Sequence, residues 1–328
     1  MKFKLSTILA TALTAGLFIA GCATVDTNLP IPDSARLDFE TTQQETKAFA
    51  RYLKMRRRLD KVSAPILAAN AELCEKTRND FGIITHTKKS YPKHLRDAAA
   101  RRLGAGETHA VLFVRDGSPA QRAGVKRGDI LLSEKSKPIS ARDKTLTDTQ
   151  SVNIRRAGKD LNIALNSVSS CDYAVVLKMS GAVNAYANGK SIIVTTAMMD
   201  FAKADEELAL VVGHELAHNT MGHVRKAVWN TVISGFATRT TRPFESEADY
   251  VGLYYMARAG YKMNGVEDFW RRLGVEHPNS IVRAKTHPVT PERLLAIRMT
   301  AKEIDAKRAK GQKLLPNYKP GKAPKNAQ

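Results

Sequence analysis

After its first twenty residues the sequence contains no uninterrupted apolar run of the about 20 residues that a bilayer-spanning helix needs. We therefore expect the body of the protein not to be embedded in a membrane. Acidic side chains are also scarce, with 32 Asp and Glu against 52 Lys and Arg and a formal net charge of +20. This charge favours anionic surfaces such as lipid headgroups, acidic polysaccharide or acidic clients. Motifs of nucleic-acid-binding modules are missing, so we expect no nucleic-acid partner.

The N-terminus has the layout of a bacterial lipoprotein signal. Lys2 and Lys4 precede an apolar run from Leu5 to Ala20, and the sequence IAGC that ends at Cys22 resembles a lipobox. This predicts a signal peptide over residues 1–21 and a lipid on Cys22. Because no Asp follows Cys22, the expected location is the periplasmic face of the outer membrane of a Gram-negative bacterium. The alternative is a plain secretory signal with an accidental cysteine.

Cysteine is rare as well, with three residues in the whole chain. If Cys22 carries lipid, Cys74 and Cys171 remain, and an oxidising periplasm favours a disulfide between them. Their pairing requires Cα atoms about 4.4–6.8 Å apart, which only the fold can supply.

The strongest chemical signal is the segment VVGHELAH at residues 211–218. On a helix, His214 and His218 lie one turn apart on the same face, so both imidazoles can reach one Zn²⁺ while Glu215 projects beside them. The same helix has an apolar stripe and an acidic first turn, which predict a buried helix with a favourable dipole. The alternative is a core helix with two incidental histidines.

A zinc site of this kind needs a third protein ligand and one open position. His223 lies five residues after His218 and points away from the metal-binding face, which favours a structural role. The metzincin arrangement is excluded because Met221 and Val224 occupy the positions of its Gly and His.

A second predicted helix, which ends at Gly260, offers carboxylates instead. Glu245 and Asp249 share one face of this helix at a spacing of four residues, and Ala248 beside them is small enough for close helix contact. A carboxylate on a neighbouring helix is the ligand that a site with two histidines requires.

Together, HExxH at 214–218, ExxAD at 245–249, Asn-Ala-Tyr-Ala at 184–187 and Thr-His-Pro at 286–288 resemble family forty-eight of the metallopeptidases. This family of gluzincins includes the CAAX prenyl endopeptidases and bacterial periplasmic quality-control proteases. The resemblance covers residues 180 to 300 approximately. It implies one Zn²⁺ bound by His214, His218 and Glu245, with Glu215 as the catalytic base and Asp249 orienting a ligating histidine.

Three further residues enter through the resemblance. Glu247 is an alternative ligand, but the ExxAD register favours Glu245. His287 matches a histidine that in some relatives lies over the metal, where it blocks the site or contacts substrate; the alternative is a histidine that caps a loop. Arg293 matches an arginine of the family for which the sequence gives no role. The sequence also lacks the spanning helices of the membrane-embedded members, so prenylated proteins are not the expected substrate.

Upstream, the sequence resembles the core of a bacterial PDZ domain. A strand predicted at Ala110–Val114 is followed by a Ser-Pro turn, a short helix, and Gly124 and Gly128 at turn positions before a further strand. PDZ domains capture extended peptides or free C-termini by adding a strand to a sheet edge, which implies client recognition. The alternative is a spacer.

A β-hairpin is predicted immediately before the zinc motif. Asn188-Gly189 separates two strand-like runs, and Asn-Gly is typical of a type I′ turn with positive φ at both residues. An edge strand in this position can pair with an extended substrate.

The predicted fold class is α+β, with a mainly helical zincin-type domain, a small β-hairpin or sheet, and an inserted β-rich PDZ-like domain. Pro65 is expected to break or kink the N-terminal helix, and Arg56, Arg57 and Arg58 to lie on its solvated face. The predicted boundaries are a signal at 1–21, a tether at 22–38, a helical segment at 39–78, the PDZ-like domain at 79–179, the metalloprotease domain at 180–300 and a disordered basic tail at 301–328.

The predicted function is zinc-dependent hydrolysis of misfolded or unassembled periplasmic and outer-membrane proteins. Its partners would be polypeptide substrates, the membrane through Cys22, and the outer-membrane assembly machinery. The alternative is a chaperone-like lipoprotein that binds clients while its metal site stays latent. A structural lipoprotein without zinc is a third hypothesis.

Overall fold

Apolar residues at helical spacing in the N-terminal region form one long helix, α1 (Ser34–Ala69). A computed structural model describes residues 33–133, 135–138, 150–226, 242–276 and 291–318. The chain divides into two units, residues 1–42 and residues 43–328. All contacts described below lie within the second unit. Cys22 and His287 lie outside the described residues.

The other described helices follow α1 in chain order. They are α2 (Arg96–Leu103), α3 (Pro119–Arg122), α4 (Thr196–Phe201), α5 (Asp205–Thr220), α6 (Arg242–Arg258), α7 (Glu267–Glu276) and α8 (Pro291–Ala309), and short 3-10 helices occupy Ala71–Leu73, Lys88–Ser90 and Lys93–Leu95.

Ten strands form three sheets in the described part of the chain. They are β1 (Thr77–Asp80), β2 (Ile83–His86), β3 (Ala110–Val114), β4 (Ile130–Leu131), β5 (Ser151–Arg156), β6 (Lys159–Ala164), β7 (Val168–Cys171), β8 (Ala174–Lys178), β9 (Ala185–Ala187) and β10 (Ser191–Thr195). The described part is therefore α+β, as predicted.

The sheet next to the zinc motif has the strand order β8-β10-β9. The central strand β10 runs parallel to β8 and antiparallel to β9, and its Ile192 and Val194 are fully buried. The Thr195 hydroxyl accepts a hydrogen bond from the backbone N–H of Met198, which caps α4 and turns the chain toward α5.

The predicted hairpin is confirmed, but its turn lies one residue further along. Ala187 pairs with Ile192, so Asn188 and Ser191 flank a loop of Gly189 and Lys190. The positive φ of 84° belongs to Gly189, the first loop residue, as in a type II′ turn. The Asn188 carboxamide oxygen accepts hydrogen bonds from the N–H groups of Lys190 and Ser191, which explains why Asn precedes the turn.

The segment predicted to be PDZ-like contains an antiparallel five-stranded sheet with the order β2-β3-β4-β5-β6. The strand predicted at Ala110–Val114 has those bounds, and Ser118 caps α3 through the N–H of Gln121. Gly124 and Gly128 have φ of 79° and 88°, which confirms the turn positions. One face of this sheet closes its own small core around Phe81, Val111, Ala120, Val125, Leu131, Val152, Ile154 and Leu165.

The structure joins Cys74 and Cys171 in a disulfide with Cα atoms 5.5 Å apart. The first of these cysteines follows α1, and the second ends β7, which pairs with β1. The bond therefore fastens together the two ends of the segment that contains the five-stranded sheet.

Several predicted boundaries differ from the structure. Residues 34–38, predicted as tether, already belong to α1, and α1 continues through Pro65 to Ala69, since Ile66 and Leu67 remain packed in the core. The predicted PDZ-like segment ends at 179, yet its last strand, β8, pairs with β10 in the sheet next to the zinc motif.

The predicted disordered tail at 301–328 is wrong for residues 301–318. Helix α8 continues to Ala309 because Ile304 is fully buried in the core. The segment 310–318 then packs against α6, where the Tyr250 hydroxyl accepts the N–H of Asn317 and the Leu314 carbonyl accepts from Arg258. Residues 319–328 lie outside the described residues.

The described helices include none that is both long enough and apolar enough to cross a bilayer.

Candidate metal centre

Helix α5 carries the HExxH motif and is buried in the hydrophobic core. The backbone N–H groups of Lys203 and Ala204 donate to the Glu207 carboxylate, which caps the helix start and is held in turn by Arg272. Burial opposes ionisation of Glu207, but these donors lower its pKa below the usual value. All residues from Leu208 to Asn219 are buried, so α5 is enclosed on every side and not only along its apolar stripe.

Arg58 of α1 fixes the start of α5. Its guanidinium donates to the carbonyls of Met199, Ala202, Lys203 and Ala204 and pairs with Asp205. The prediction of a solvated face for Arg58 is therefore wrong. These bonds satisfy one carbonyl of α4 and three carbonyls of the loop 202–204 between α4 and α5. The same prediction is wrong for Arg56, whose Nη1 atom is enclosed by protein.

Helices α5 and α6 cross with their backbones in direct contact. A Cβ on Gly213 would lie 2.6 Å from the Gly252 carbonyl oxygen, and a Cβ on Gly252 would lie 2.7 Å from the His214 backbone nitrogen. Ala248, one turn earlier on α6, is fully buried. Small residues at the crossing thus bring the side chains of α6 to the two histidines of α5.

The crossing places His214, His218 and Glu245 around one point. The Nε2 atoms of the two histidines are 3.0 Å apart, and each lies 3.4 Å from an oxygen of Glu245. All three side chains are buried, with 1% to 10% of their side-chain surface exposed. Glu215, also buried, adjoins His214 in the sequence.

These separations fit a zinc ion. Tetrahedral zinc with bonds of about 2.0–2.2 Å to N and O has ligand atoms about 3.3–3.5 Å apart. Two imidazole nitrogens and a carboxylate oxygen at nearly this spacing form the donor set of a catalytic site with two His and one Glu. No other cluster of this composition occurs in the residues that the structure describes.

The Nδ1 atom of His214 is its outer nitrogen, the one not directed at His218 and Glu245, and an ionic network holds it. Its Nδ1 lies 2.9 Å from Asp249 Oδ1, and Arg293 donates two hydrogen bonds to Asp249 at 2.6 and 2.8 Å. Arg293 also lies 3.5 Å from Glu245 and stacks over the Trp270 ring. The arginine for which the sequence gave no role therefore links the metal-binding carboxylate to the carboxylate that orients His214.

The charges of this network and burial set the protonation of the site's histidines and of Asp249 when no metal is bound. Burial disfavours the charged form of His214, but Asp249 and Glu245 outweigh it and raise the pKa of His214 to about 10. Burial raises and Arg293 lowers the pKa of Asp249, and the net effect is a pKa below its usual value. Burial lowers the pKa of His218. Zinc must therefore displace a proton from His214, which makes metal binding depend on pH.

The outer nitrogen of His218 is held differently, by another histidine. His218 Nδ1 lies 3.0 Å from His223 Nδ1, and His223 Nε2 lies 2.8 Å from Glu247 Oε2. The His223 ring stacks on Phe244. His223 is thus structural as predicted, and Glu247, the alternative ligand, binds His223 and not the metal-binding cluster.

Asn219 connects α5 to the hairpin. Its carboxamide accepts the N–H of Gly189 at 2.8 Å and donates to the Ser191 carbonyl at 3.1 Å. The edge strand β9 is therefore fixed beside the helix that carries His214 and His218.

Two histidines of an HExxH helix and a glutamate of a neighbouring helix form the ligand set of gluzincin metallopeptidases. The chain matches the model of peptidase family M48 over residues 149–234 and 227–301, a region that contains both the HExxH and the ExxAD motifs.

Two curated relatives share this region. The chain is 28% identical over 159 residues to the mitochondrial metalloendopeptidase OMA1 of Arabidopsis thaliana, covering 41% of this chain and 33% of the relative. It is 24% identical over 174 residues to the OMA1 protein of Schizosaccharomyces pombe, covering 44% of this chain and 52% of the relative. The chain thus spans between a third and about half of the relatives' length.

A solved structure of the HtrA3 PDZ domain bound to a phage-derived ligand is similar over 29% of this chain and 89% of that chain, at 22% identity. The TM-score is 0.22, a value too low to establish a common fold.

Proposed function

We propose that this chain is a zinc-dependent endopeptidase of the bacterial cell envelope that hydrolyses misfolded or unassembled periplasmic and outer-membrane proteins. The observation that carries the proposal is the convergence of His214, His218 and Glu245 beside the buried Glu215. The match to the model of peptidase family M48 over residues 149–301 supports it.

Zinc, when bound, supplies Lewis acidity that polarises the scissile carbonyl and acidifies water. His214, His218 and Glu245 hold the ion. Glu215 takes the proton of the attacking water and delivers it to the leaving amine. Asp249 and the His223–Glu247 pair keep the two imidazoles directed at the ion through their outer nitrogens.

Substrate is expected to pair with β9. This strand lies at the edge of the order β8-β10-β9, and in the described part of the chain only β10 pairs with it. An extended polypeptide can add to such an edge through backbone hydrogen bonds, which bind without strong sequence preference. That property suits an enzyme that degrades many misfolded clients. The PDZ-like sheet is proposed to recognise these clients.

Cleavage of a reduced and alkylated, unfolded test protein by the full-length chain is the direct experiment. Glu215→Gln should retain zinc and lose about 10²–10⁴-fold in rate, because only the base is removed. Equal rates for parent and variant would refute the role of Glu215. If the zinc-loaded parent binds the test protein without cutting it, the chaperone-like alternative is favoured.

The location rests on the sequence around Cys22 and is tested separately. Cys22→Ser should move the protein from the membrane fraction to the soluble periplasmic fraction, since lipid provides the anchor. Retention of the variant in the membrane fraction would contradict lipidation at Cys22.

A further inference from the structure

Helix α7 contains none of the motifs described above, yet one of its side chains reaches the metal centre. Trp270 is 4% exposed. Its ring centroid lies 5.5 Å from that of the His214 ring, with the two planes at 61°, and 5.0 Å from the guanidinium carbon of Arg293. Both separations are contact distances for aromatic and cation–π pairs. Trp270 therefore touches a zinc-binding histidine and the arginine that lies between two carboxylates of the site.

Arg293 is the cation on which those carboxylates converge. It donates to both oxygens of Asp249, at 2.6 and 2.8 Å, and lies 3.5 Å from Glu245. Burial disfavours its charge, but Asp249, with Glu245 and Glu215, outweighs burial and raises the pKa of Arg293. Guanidinium donors lie in the plane of the group, so an aromatic ring can stack on a face without competing for the carboxylates. Trp270 supplies such a ring.

The indole N–H indicates that packing is not the whole reason for a tryptophan at this position. Nε1 of Trp270 is enclosed, and the part of the chain that the structure describes offers it no hydrogen-bond acceptor. An enclosed donor without an acceptor costs free energy, and a phenylalanine would avoid that cost. Compared with phenylalanine, however, tryptophan offers the stronger aromatic face for a cation. The residue type thus suits the contact with Arg293.

Other contacts of α7 hold it beside α5. Arg272 binds both oxygens of the Glu207 carboxylate at 3.0 Å and donates to the Phe201 carbonyl at 3.1 Å. The Phe269 ring packs edge-on against the Phe201 ring, with 5.3 Å between centroids. Because these contacts do not involve Trp270, a substitution of Trp270 should leave α7 in place and change the metal centre locally.

We propose that Trp270 is a positioning residue of the metal centre. Its ring holds the Arg293 guanidinium in the orientation that binds Asp249 and faces Glu245. Through Arg293 it fixes the third zinc ligand and the carboxylate that orients His214. The inference rests on the proposed zinc site and adds α7 to the elements that build it.

The test measures the zinc affinity of the full-length chain by competition with a chelator. Trp270→Leu should weaken zinc binding by about tenfold, as expected for a residue that supports the metal ligands. Trp270→Phe keeps an aromatic face and should lose less affinity than Trp270→Leu. Trp270→Met is a second variant without an aromatic face, and it should behave like Trp270→Leu, which keeps the test valid if one of the two folds poorly.

The matched control is Phe49→Leu, which removes a buried ring from the same hydrophobic core but outside the metal centre. It should lower the melting temperature of the metal-free protein, as Trp270→Leu does, and leave zinc affinity unchanged. An equal loss of zinc affinity in Phe49→Leu would overturn the proposal, because the effect would then follow from lost packing alone.

The route through Arg293 is tested by combining substitutions. In a chain that already carries Arg293→Gln, Trp270→Leu should cost little further zinc affinity, because residues that act through one another are not additive. Full additivity would overturn the proposal. A parent chain that binds no zinc would overturn the proposed metal centre as well, whereas a zinc-binding parent whose affinity Trp270→Leu and Trp270→Met share would overturn this inference alone.

Discussion

At the scale of single residues, the two zinc-binding histidines are oriented by different partners. His214 donates to an ionised carboxylate, whereas His218 contacts His223, whose other nitrogen contacts Glu247. If His218 binds zinc through Nε2, its Nδ1 carries the proton and donates to His223. His223 must then carry its own proton on Nε2 and donate it to Glu247.

Glu247→Gln tests this arrangement. The amide cannot provide the charge that fixes the tautomer of His223, so zinc affinity should fall by about 10–100-fold. Competition with a chelator measures this affinity. Glu276→Gln, at an exposed position at the end of α7, is the matched control and should leave it unchanged. If both variants bind zinc like the parent, His223 does not depend on Glu247.

His86 gives a dependence of stability on pH. Burial, with smaller contributions from the nearby Arg127 and His109, lowers its pKa to about 4, and its Nδ1 contacts the Tyr91 hydroxyl. Since the unfolded pKa is about 6.5, the unfolded state takes up a proton first as pH falls. The contribution of His86 is complete above pH 6.5 and is lost progressively toward pH 4.

The unfolding free energy of the parent should fall between pH 7 and pH 5. In His86→Gln this fall should be smaller by about 2 kcal/mol, because the variant lacks the titrating imidazole. Urea unfolding at the two pH values measures it. An unchanged pH dependence in the variant would show that other groups cause it.

At the scale of elements, the site depends on how closely α5 and α6 approach. Gly252→Ala would place a methyl group 2.7 Å from a backbone atom of α5, and neither backbone can move without shifting Glu245 away from the histidines. The expected cost is about 1–3 kcal/mol in unfolding free energy, together with weaker zinc binding.

The control is Gly181→Ala, where a Cβ would meet no atom within 4 Å. Chemical denaturation and zinc titration of both variants measure the two effects. If Gly252→Ala matches its control in both, the crossing does not position the site.

The sequence predicted those elements whose signal is local. Helix α5, the strand Ala110–Val114 and the hairpin at Gly189 follow from periodicity, turn residues and motif spacing. Other features depend on partners 39 to about 150 residues away in the sequence, which no local pattern reveals. They are the contact of Gly213 with Gly252 and the roles of Arg58 and Arg293. The sequence does contain one signal for the crossing of α5 and α6. Each helix has a glycine in its interior, Gly213 and Gly252, which favours a packing reason for the small residue.

The C-terminal segment 301–318 also shows that a local pattern in the sequence does not determine the structure. Its lysines and prolines predict disorder by composition, yet Ile304 is buried and residues 310–318 bind α6. Tertiary contacts outweigh composition in this segment.

At the scale of the whole molecule, the Cys74–Cys171 disulfide encloses the five-stranded sheet between its two ends, which are 97 residues apart in the sequence. Closing a loop of this length in the unfolded chain is worth about 4–5 kcal/mol in the entropic account. The double substitution Cys74→Ser and Cys171→Ser should therefore lower the unfolding free energy by a few kcal/mol. Urea unfolding of parent and variant measures the change, and equal stability would mean that the bond does not constrain the unfolded chain.

The central claim is that side chains from α5 and α6 together hold one zinc ion. Zinc content of metal-loaded, desalted protein, measured by inductively coupled plasma mass spectrometry, tests it most directly. We predict one zinc per chain in the parent and in Glu215→Gln, and a loss of tightly held zinc in Glu245→Ala, because two histidines alone bind the ion weakly. A full equivalent of zinc that stays bound to Glu245→Ala through a chelator wash would contradict the account.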